Sequence, residues 1–176
     1  MKSPALANRR AWLSAFVGTL AIFAFSNIAR SDVPAGWKAF KGDFFEIGVP
    51  PGFTATAVKT GGHTDSVRLS NASLGVVFEV YSPQWDGEAP FKKAMAGEKI
   101  VSNETRKAGK ETAQDISIEA KDGSYIRFVL SQSYANDAAS SRTNKTFGIK
   151  APNMKAYAQV KSLYIQWKKS LTQFAD

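Results

Sequence analysis

The sequence predicts an α+β domain in which an antiparallel sheet carries packed helices. Three observations support this fold class. Short apolar stretches follow one another along the chain with turn residues between them, which is typical of strands that meander. Thr112–Ala120 and Ser124–Gln132 flank an Asp-Gly pair and predict a β-hairpin. Residues 151–174 carry apolar side chains at spacings of three and four, which is the period of a helix that covers a sheet.

Four strands are predicted before the hairpin. They comprise residues 44–49, 54–59, 66–70 and 74–82. The first ends at Pro50-Pro51-Gly52, a strong turn signal, and the last is a nearly continuous apolar run that suits a central strand. A loop at 83–90 and a short helix at 91–98 are expected next. Residues 99–108 are ambiguous, since their first residues favour a strand and the charges after them favour an exposed edge.

Two registers compete for the hairpin. A two-residue Asp-Gly turn places Ala120 opposite Tyr125 and mixes apolar with polar side chains on both faces. A three-residue loop, with Gly123 in the left-handed conformation, gives one apolar face. Its pairs are Ala120–Ser124, Ile118–Ile126 and Ile116–Phe128. Because a one-residue slip moves every side chain to the other face, the coherent faces favour the three-residue loop. Arg127 then lies on the exposed face, with Glu119 as its expected partner.

The C-terminal third is predicted to be a loop followed by a helix. Tyr134–Thr146 is small, polar and without periodicity, and long loops of this kind are often functional. A helix is expected from Ala151-Pro152, since proline suits the first helical turn, to about Phe174. Its apolar stripe consists of Tyr157, Val160, Tyr164, Trp167, Leu171 and Phe174.

Composition excludes several classes of chemistry. The 176 residues include no cysteine and one histidine, His63. Disulfides, thiolate metal sites, cysteine nucleophiles and sites that need two imidazoles are therefore excluded. No phosphate-binding loop, nucleophile elbow or dinucleotide fingerprint occurs, and no acids cluster at calcium-ligand spacing. We therefore expect no cofactor, no metal and no catalytic residue.

The N-terminal 31 residues resemble an export signal. Lys2, Arg9 and Arg10 form a positive start, and residues 11–25 are uncharged and mostly apolar. Small residues then suit cleavage before Asp32, or before Asn27. This pattern predicts a signal peptide at 1–31, a single domain at 32–176, and a periplasmic or secreted protein.

Two alternatives for this segment stay open. Residues 11–29 are uncharged and about long enough to span a bilayer, so that the protein would be anchored in the inner membrane. Arg9-Arg10 followed by an apolar pair also resembles a twin-arginine export motif, although adjacent arginines are common in general-secretory signals.

The net charge of +8 is unevenly distributed. Residues 1–31 hold four basic residues and no acid, whereas 138–176 hold seven basic residues and one acid. Because half of the excess belongs to the export signal, we do not expect nucleic acid as a partner. The basic C-terminal part predicts attraction to an anionic protein or envelope component, a membrane surface included, unless its lysines merely cover apolar surface.

Loop aromatics and C-terminal basic residues are the candidate partner-binding side chains. The candidates are Trp85, Tyr134, Arg142, Lys145, Lys161 and Lys168. Exposed aromatic rings in loops mark recognition sites, although they also cap the edge of a core.

The order of elements resembles that of PsbP-type domains. Phe44-Phe45-Glu46-Ile47 leads to Pro50-Pro51-Gly52-Phe53, as an aromatic strand ends in a proline–glycine turn in that family. The strand at 76–81, the hairpin and the closing helix with Ser170-Leu171 follow the same order, over most of residues 40–175. The resemblance implies an α-β-α sandwich and a binding role, since members are exported accessory, assembly or chaperone-like proteins.

The sequence therefore predicts an exported, non-enzymatic binding, accessory or assembly-factor protein. The alternative is a small periplasmic or secreted hydrolase. Such an enzyme would use His63 as a base with Asp65 beside it and a serine as nucleophile. It could otherwise use a pair of the strand carboxylates Glu46, Glu79 and Glu119.

Overall fold

Ten strands and one α-helix form the part of the chain that the structure describes. The structure, a computed structural model, describes residues 32–83, 87–136 and 141–174. The elements are β1 (Lys38–Lys41), β2 (Phe45–Val49), β3 (Thr54–Thr60), β4 (His63–Asn71), β5 (Val76–Tyr81), a 3-10 helix (Pro90–Lys92), β6 (Glu98–Ala108), β7 (Glu111–Ala120), β8 (Ile126–Asn136), β9 (Ser141–Ala151), α1 (Met154–Lys169) and β10 (Thr172–Gln173). They confirm the four predicted early strands within a few residues at their ends.

The strands form two antiparallel sheets. The smaller has the order β1-β2-β10, and the larger has the order β3-β4-β5-β9-β8-β7-β6. The main core lies between the larger sheet, α1 and the smaller sheet. We call the side of the larger sheet that carries α1 the helix face and its other side the second face. At the centre of the core, Trp167 is fully buried against the rings of Phe78, Phe147 and Tyr164.

The helix ends earlier than the sequence predicts. The Asn153 side chain accepts a hydrogen bond from the Ala156 amide and caps the start of α1. The predicted stripe is confirmed within the helix, since Val160, Tyr164 and Trp167 are buried, whereas Leu171 and Phe174 lie beyond the end of α1. The prediction that the helix continues to Phe174 is wrong, because the chain leaves α1 at Ser170 and pairs with β2 as β10.

The hydroxyl of Ser170 fixes this end. It donates to the Trp167 carbonyl at 2.7 Å and accepts from the Gly48 amide at 3.0 Å, so that one side chain joins α1 to β2. Gly48 has no side chain to keep the strand away, and a Cβ there would lie 2.7 Å from the Trp37 ring.

The second face is covered by residues 90–97, which we call the covering segment and which form no α-helix. The Phe91 ring packs over Gly148 and against the smaller cluster of Ile116, Ile118 and Val129. The predicted helix at 91–98 is wrong, since only the 3-10 turn Pro90–Lys92 forms there and the chain then enters β6. The ambiguous residues 99–108 belong to this strand. Over the described residues the fold is thus two antiparallel sheets with one α-helix, and the predicted α-β-α sandwich, an antiparallel sheet with packed helices, is correct only in part.

The hairpin register favoured by the sequence is wrong. The Ala120 amide donates to the Tyr125 carbonyl at 3.1 Å, and Ile118 lies opposite Arg127. Residues 121–124 close the connection with a turn hydrogen bond from Gly123 to Ala120, and Gly123 has a φ of +74°. This is the pairing that the sequence argument assigned to an Asp-Gly turn.

The reason for the other register is that both faces of the sheet are covered. Ile116 and Ile118 of β7 lie on the second face, whereas Ile126 and Phe128 of β8 lie on the helix face. Arg127 is buried on the second face with Glu98 as its partner. Glu119, the expected partner of Arg127, pairs instead with Lys99 at 3.3 Å.

The predicted loop Tyr134–Thr146 is wrong over most of its length. β8 continues to Asn136 and β9 begins at Ser141, and the two strands pair in continuous register. The residues of β8 and β9 that lie next to their connection are mostly polar, because this part of the hairpin extends beyond the core. Apolar periodicity therefore does not predict these strand ends.

Candidate functional site: a basic trough at the end of the helix

Strand β8 extends past the end of α1 and leaves part of the helix face open. After Ile126, its side chains on that face include Phe128, Leu130, Gln132 and Tyr134, as the alternation along the unbroken ladder requires. The first two lie beside α1, and the last two lie beyond the helix end. Three adjoining cavities follow this row, with volumes of about 170, 360 and 200 Å³. We call them the inner, central and outer cavities, and together the helix-end trough.

The cavities adjoin one another, since neighbouring cavities share wall residues. Leu130 and Lys168 line both the inner and the central cavity. Gln132 and Lys145 line both the central and the outer cavity. Lys168 therefore stands at the first junction and Lys145 at the second.

The central cavity is basic. Its polar lining comprises Lys145, Lys168, Lys169 and Gln132, and its apolar lining comprises Leu130, Phe147, Ile165 and Leu171. No acidic side chain lines it within the described ranges. Within those ranges, none of the three lysines has a carboxylate at ion-pair distance. The centre of the trough thus combines an apolar floor with three cationic groups that lack a described counter-ion.

Lys168 packs its ammonium group against an aromatic ring. Its Nζ lies 5.1 Å from the centroid of the Tyr164 ring, an arrangement of cation over aromatic face. Burial lowers the pKa of Lys168, and the charge of Asp115 acts in the opposite direction. Its ammonium is therefore less well hydrated than that of an exposed lysine.

The two ends of the trough carry acidic groups. Asp115 lines the inner cavity and forms an ion pair with Arg106. Glu111 lines the outer cavity and accepts a hydrogen bond from Gln132 Nε2 at 3.0 Å. Acidic side chains therefore stand at both ends of the trough, one of them paired with Arg106, and the lysines stand between them.

The inner cavity is walled by aromatic rings. The rings of Phe128 and Tyr157 lie 4.6 Å apart, and Tyr164 stands beside them. The Tyr164 hydroxyl is buried and has no hydrogen-bond partner among the described residues. Burial raises the pKa of this phenol, which therefore stays protonated. The Ser117 hydroxyl also lines the cavity.

The structure brings together three of the six candidate side chains. Tyr134, Lys145 and Lys168 all line the trough. Lys161 is exposed on α1 and is absent from the lining of the three cavities. Arg142 lies in β9, with its side chain outside the description, and Trp85 lies outside the described residues. A binding role for each of them stays a prediction.

Sequence reasoning missed Lys169, Gln132 and the acidic ends of the trough. Gln132 and Glu111 lie on neighbouring strands but 21 positions apart in sequence, so no local pattern joins them. Lys169 carried a signal, since it adjoins Lys168 in the last helical turn, where cations are favoured.

Two of the residues named for a hydrolase, His63 and Asp65, lie in β4. His63 is about half exposed, its Nδ1 lies 3.5 Å from Asp43 Oδ2, and its ring contacts Phe44. Asp65 is fully buried. The structure therefore gives His63 an exposed carboxylate neighbour that the sequence interpretation did not name.

Two of the strand carboxylates, Glu79 and Glu119, lie on opposite faces of the larger sheet. Glu79 lies on the second face, where it pairs with Arg68 at 2.8 Å, and Glu119 lies on the helix face.

No group of three or more metal-ligating side chains occurs in the described part of the chain. Nor does that part include a helix with the length and apolar character needed to cross a bilayer.

Comparison with known proteins gives similarity in structure alone. No protein-family model and no curated protein sequence matches the chain. The chain is similar to the cyanobacterial PsbP protein CyanoP from Synechocystis, with 12% identity, a TM-score of 0.46, and coverage of 80% of this chain and 94% of that one. It is also similar to the Ran-binding protein Mog1p from Saccharomyces cerevisiae, with 12% identity, a TM-score of 0.43, and coverage of 78% and 95%. A PsbP protein, from the family that the sequence resembles, is therefore among the solved structures similar to this chain, and the similarity says nothing of function.

Proposed function

We propose that the protein is an exported, non-enzymatic binding protein that holds an anionic group of its partner in the helix-end trough. The observation that carries this proposal is the central cavity. Three lysines surround about 360 Å³ of space with an apolar floor, and no described acid lines it.

Electrostatics explains why an anion suits this place. Lys168 loses hydration through burial, which disfavours its charged form. An anion between Lys145, Lys168 and Lys169 restores favourable interactions to all three ammonium groups. The surrounding walls keep part of the water away from these charges, so the attraction is stronger than that of fully exposed lysines. Because the cavity is open to solvent on one side, the attraction still weakens with salt.

The test of the trough is capture of partners by two variants of equal charge. The full chain is immobilised and exposed to an extract of its native cell envelope. Lys145→Glu/Lys168→Glu reverses two trough lysines, and Lys121→Glu/Lys155→Glu reverses two exposed lysines outside the trough. We expect the first variant to lose the captured partner and the second to keep it. Equal capture by both variants, or equal loss, contradicts a role for the trough.

Export is the second part of the proposal, and residues 1–31 carry it. We expect the mature protein to begin at Asp32 or Asn27, since small residues precede both positions. N-terminal sequencing of the protein recovered from the periplasm or medium decides between them. Recovery of the uncut chain in the inner-membrane fraction would instead support an anchor at residues 11–29.

A further inference from the structure

We infer that the partner group in the helix-end trough is an extended acidic peptide segment with an aromatic side chain at one end. This inference rests on the proposed function, and it names the chemistry that the trough selects. The aromatic side chain enters the inner cavity, and the carboxylates lie over the central cavity.

The shape of the trough suits an extended chain. Its floor follows β8 from Phe128 to Tyr134, a distance of about 20 Å at the rise of a strand. An extended peptide of about six or seven residues has the same length. A flat bilayer surface cannot follow a concave trough, so its head groups would meet only the rim.

The order of charges disfavours a uniform polyanion. Asp115 and Glu111 stand at the two ends, and the three lysines stand between them. A polymer with a charge on every unit would place a negative group against Glu111 at one end, and another beside the ion-paired Asp115 at the other end. A peptide places its acids in the middle and neutral residues at its ends, which matches the trough.

The inner cavity selects the aromatic residue. Phe128 and Tyr157 offer tilted ring faces, and a third ring adds favourable offset contacts. Tyr164 and Ser117 belong to the same wall.

Three labelled probes test the assignment on the purified full chain by fluorescence anisotropy. The first is a seven-residue peptide with one phenylalanine followed by three acidic residues, and the second replaces its phenylalanine by alanine. The third is inorganic polyphosphate. Vesicles that contain anionic lipid are tested by co-sedimentation. We expect the phenylalanine peptide to bind most tightly.

Two variants locate the binding. Lys145→Glu/Lys168→Glu is expected to weaken binding of the phenylalanine peptide by about tenfold or more, and Lys121→Glu/Lys155→Glu by about twofold or less. Ser117→Leu fills the inner cavity without removing a core side chain. It should weaken the phenylalanine peptide and leave the alanine peptide unchanged. Thermal unfolding of each variant shows that the chain still folds.

The outcomes separate this inference from the proposed function. The peptide assignment is overturned if the wild type binds polyphosphate or vesicles but neither peptide, and Lys145→Glu/Lys168→Glu loses that binding. The trough would then still bind anions, as the proposed function states. Equal affinity of the two peptides overturns the aromatic pocket. If no probe depends on Lys145 and Lys168, and partner capture does not either, both proposals fail.

Discussion

Arg127 on β8 and Glu98 at the start of β6 form a buried ion pair that attaches the covering segment to the second face. Arg127 Nε lies 2.8 Å from Glu98 Oε1, and both residues are less than 10% exposed. The guanidinium also donates to the carbonyls of Phe91 and Lys93. Glu98 accepts from the Tyr125 hydroxyl and the Met95 amide, both at 2.7 Å. The pair therefore satisfies backbone groups of residues 91–95 as well as each other.

Removal of one partner should strongly destabilise the fold. We expect Glu98→Gln or Arg127→Met to lower the free energy of unfolding by about 3–5 kcal/mol, since each leaves a buried charge without its partner. The double variant should cost less than the sum of the two. Urea denaturation measures these values. The exposed pair Lys99–Glu119 provides the control, and its removal should change stability by less than about 1 kcal/mol.

The same pair predicts a loss of stability in acid. Burial opposes ionisation of Glu98, but hydrogen bonds from Arg127, the Met95 amide and Tyr125 outweigh it and lower its pKa from 4.5 to about 2. A pKa that is lower in the folded state stabilises the fold above the unfolded value and loses this contribution as the pH falls. We expect about 3 kcal/mol to disappear between about pH 5 and pH 2.

Denaturation at a series of pH values checks this expectation. The difference in stability between the wild type and Glu98→Gln should be largest near neutrality and shrink below about pH 4.5. A difference that stays constant down to pH 2 would contradict the assignment of the titration to Glu98.

This ion pair also shows where sequence reasoning reaches its limit. The strands at 45–49 and 76–81 and the stripe of α1 were predicted because their patterns are local. The hairpin register was missed because burial of Arg127 depends on Glu98, 29 positions away. A charged residue in a strand normally indicates that its face is exposed to solvent. Arg127 is buried because the covering segment lies over its face of the sheet.

The candidate site was predictable in its composition but not in its shape. Lys145 and Lys168 belong to the basic C-terminal region, and the sequence singled them out. Their meeting in one cavity depends on the end of α1, which the contact between Ser170 and Gly48 sets across 122 positions. No periodicity in the sequence reports such a contact.

Loss of the Ser170 hydroxyl should destabilise the junction of α1 with β2. We expect Ser170→Ala to lower the free energy of unfolding by about 1–3 kcal/mol, because the Gly48 amide is left buried without an acceptor. Ser162→Ala on the exposed side of α1 is the matched control and should have little effect. Thermal or urea unfolding compares the two. Equal stability of the two variants would show that water satisfies the Gly48 amide.

Partner binding should depend on the charge of Lys168 at alkaline pH. Because burial lowers the pKa of this lysine, its charge is lost at a lower pH than that of an exposed lysine. Affinity for an anionic partner should therefore fall as the pH rises through the titration of Lys168. A bound anion stabilises the ammonium and shifts its titration upward, so binding takes up protons in this range.

The variant Lys168→Arg separates this effect from other titrations, because arginine stays charged throughout the range. Its affinity for the phenylalanine-containing acidic peptide should fall less between pH 8 and pH 10 than that of the wild type, as measured by anisotropy at constant ionic strength. Lys155→Arg is the control and should follow the wild type. Parallel decline of all three proteins would show that Lys168 does not hold the anion.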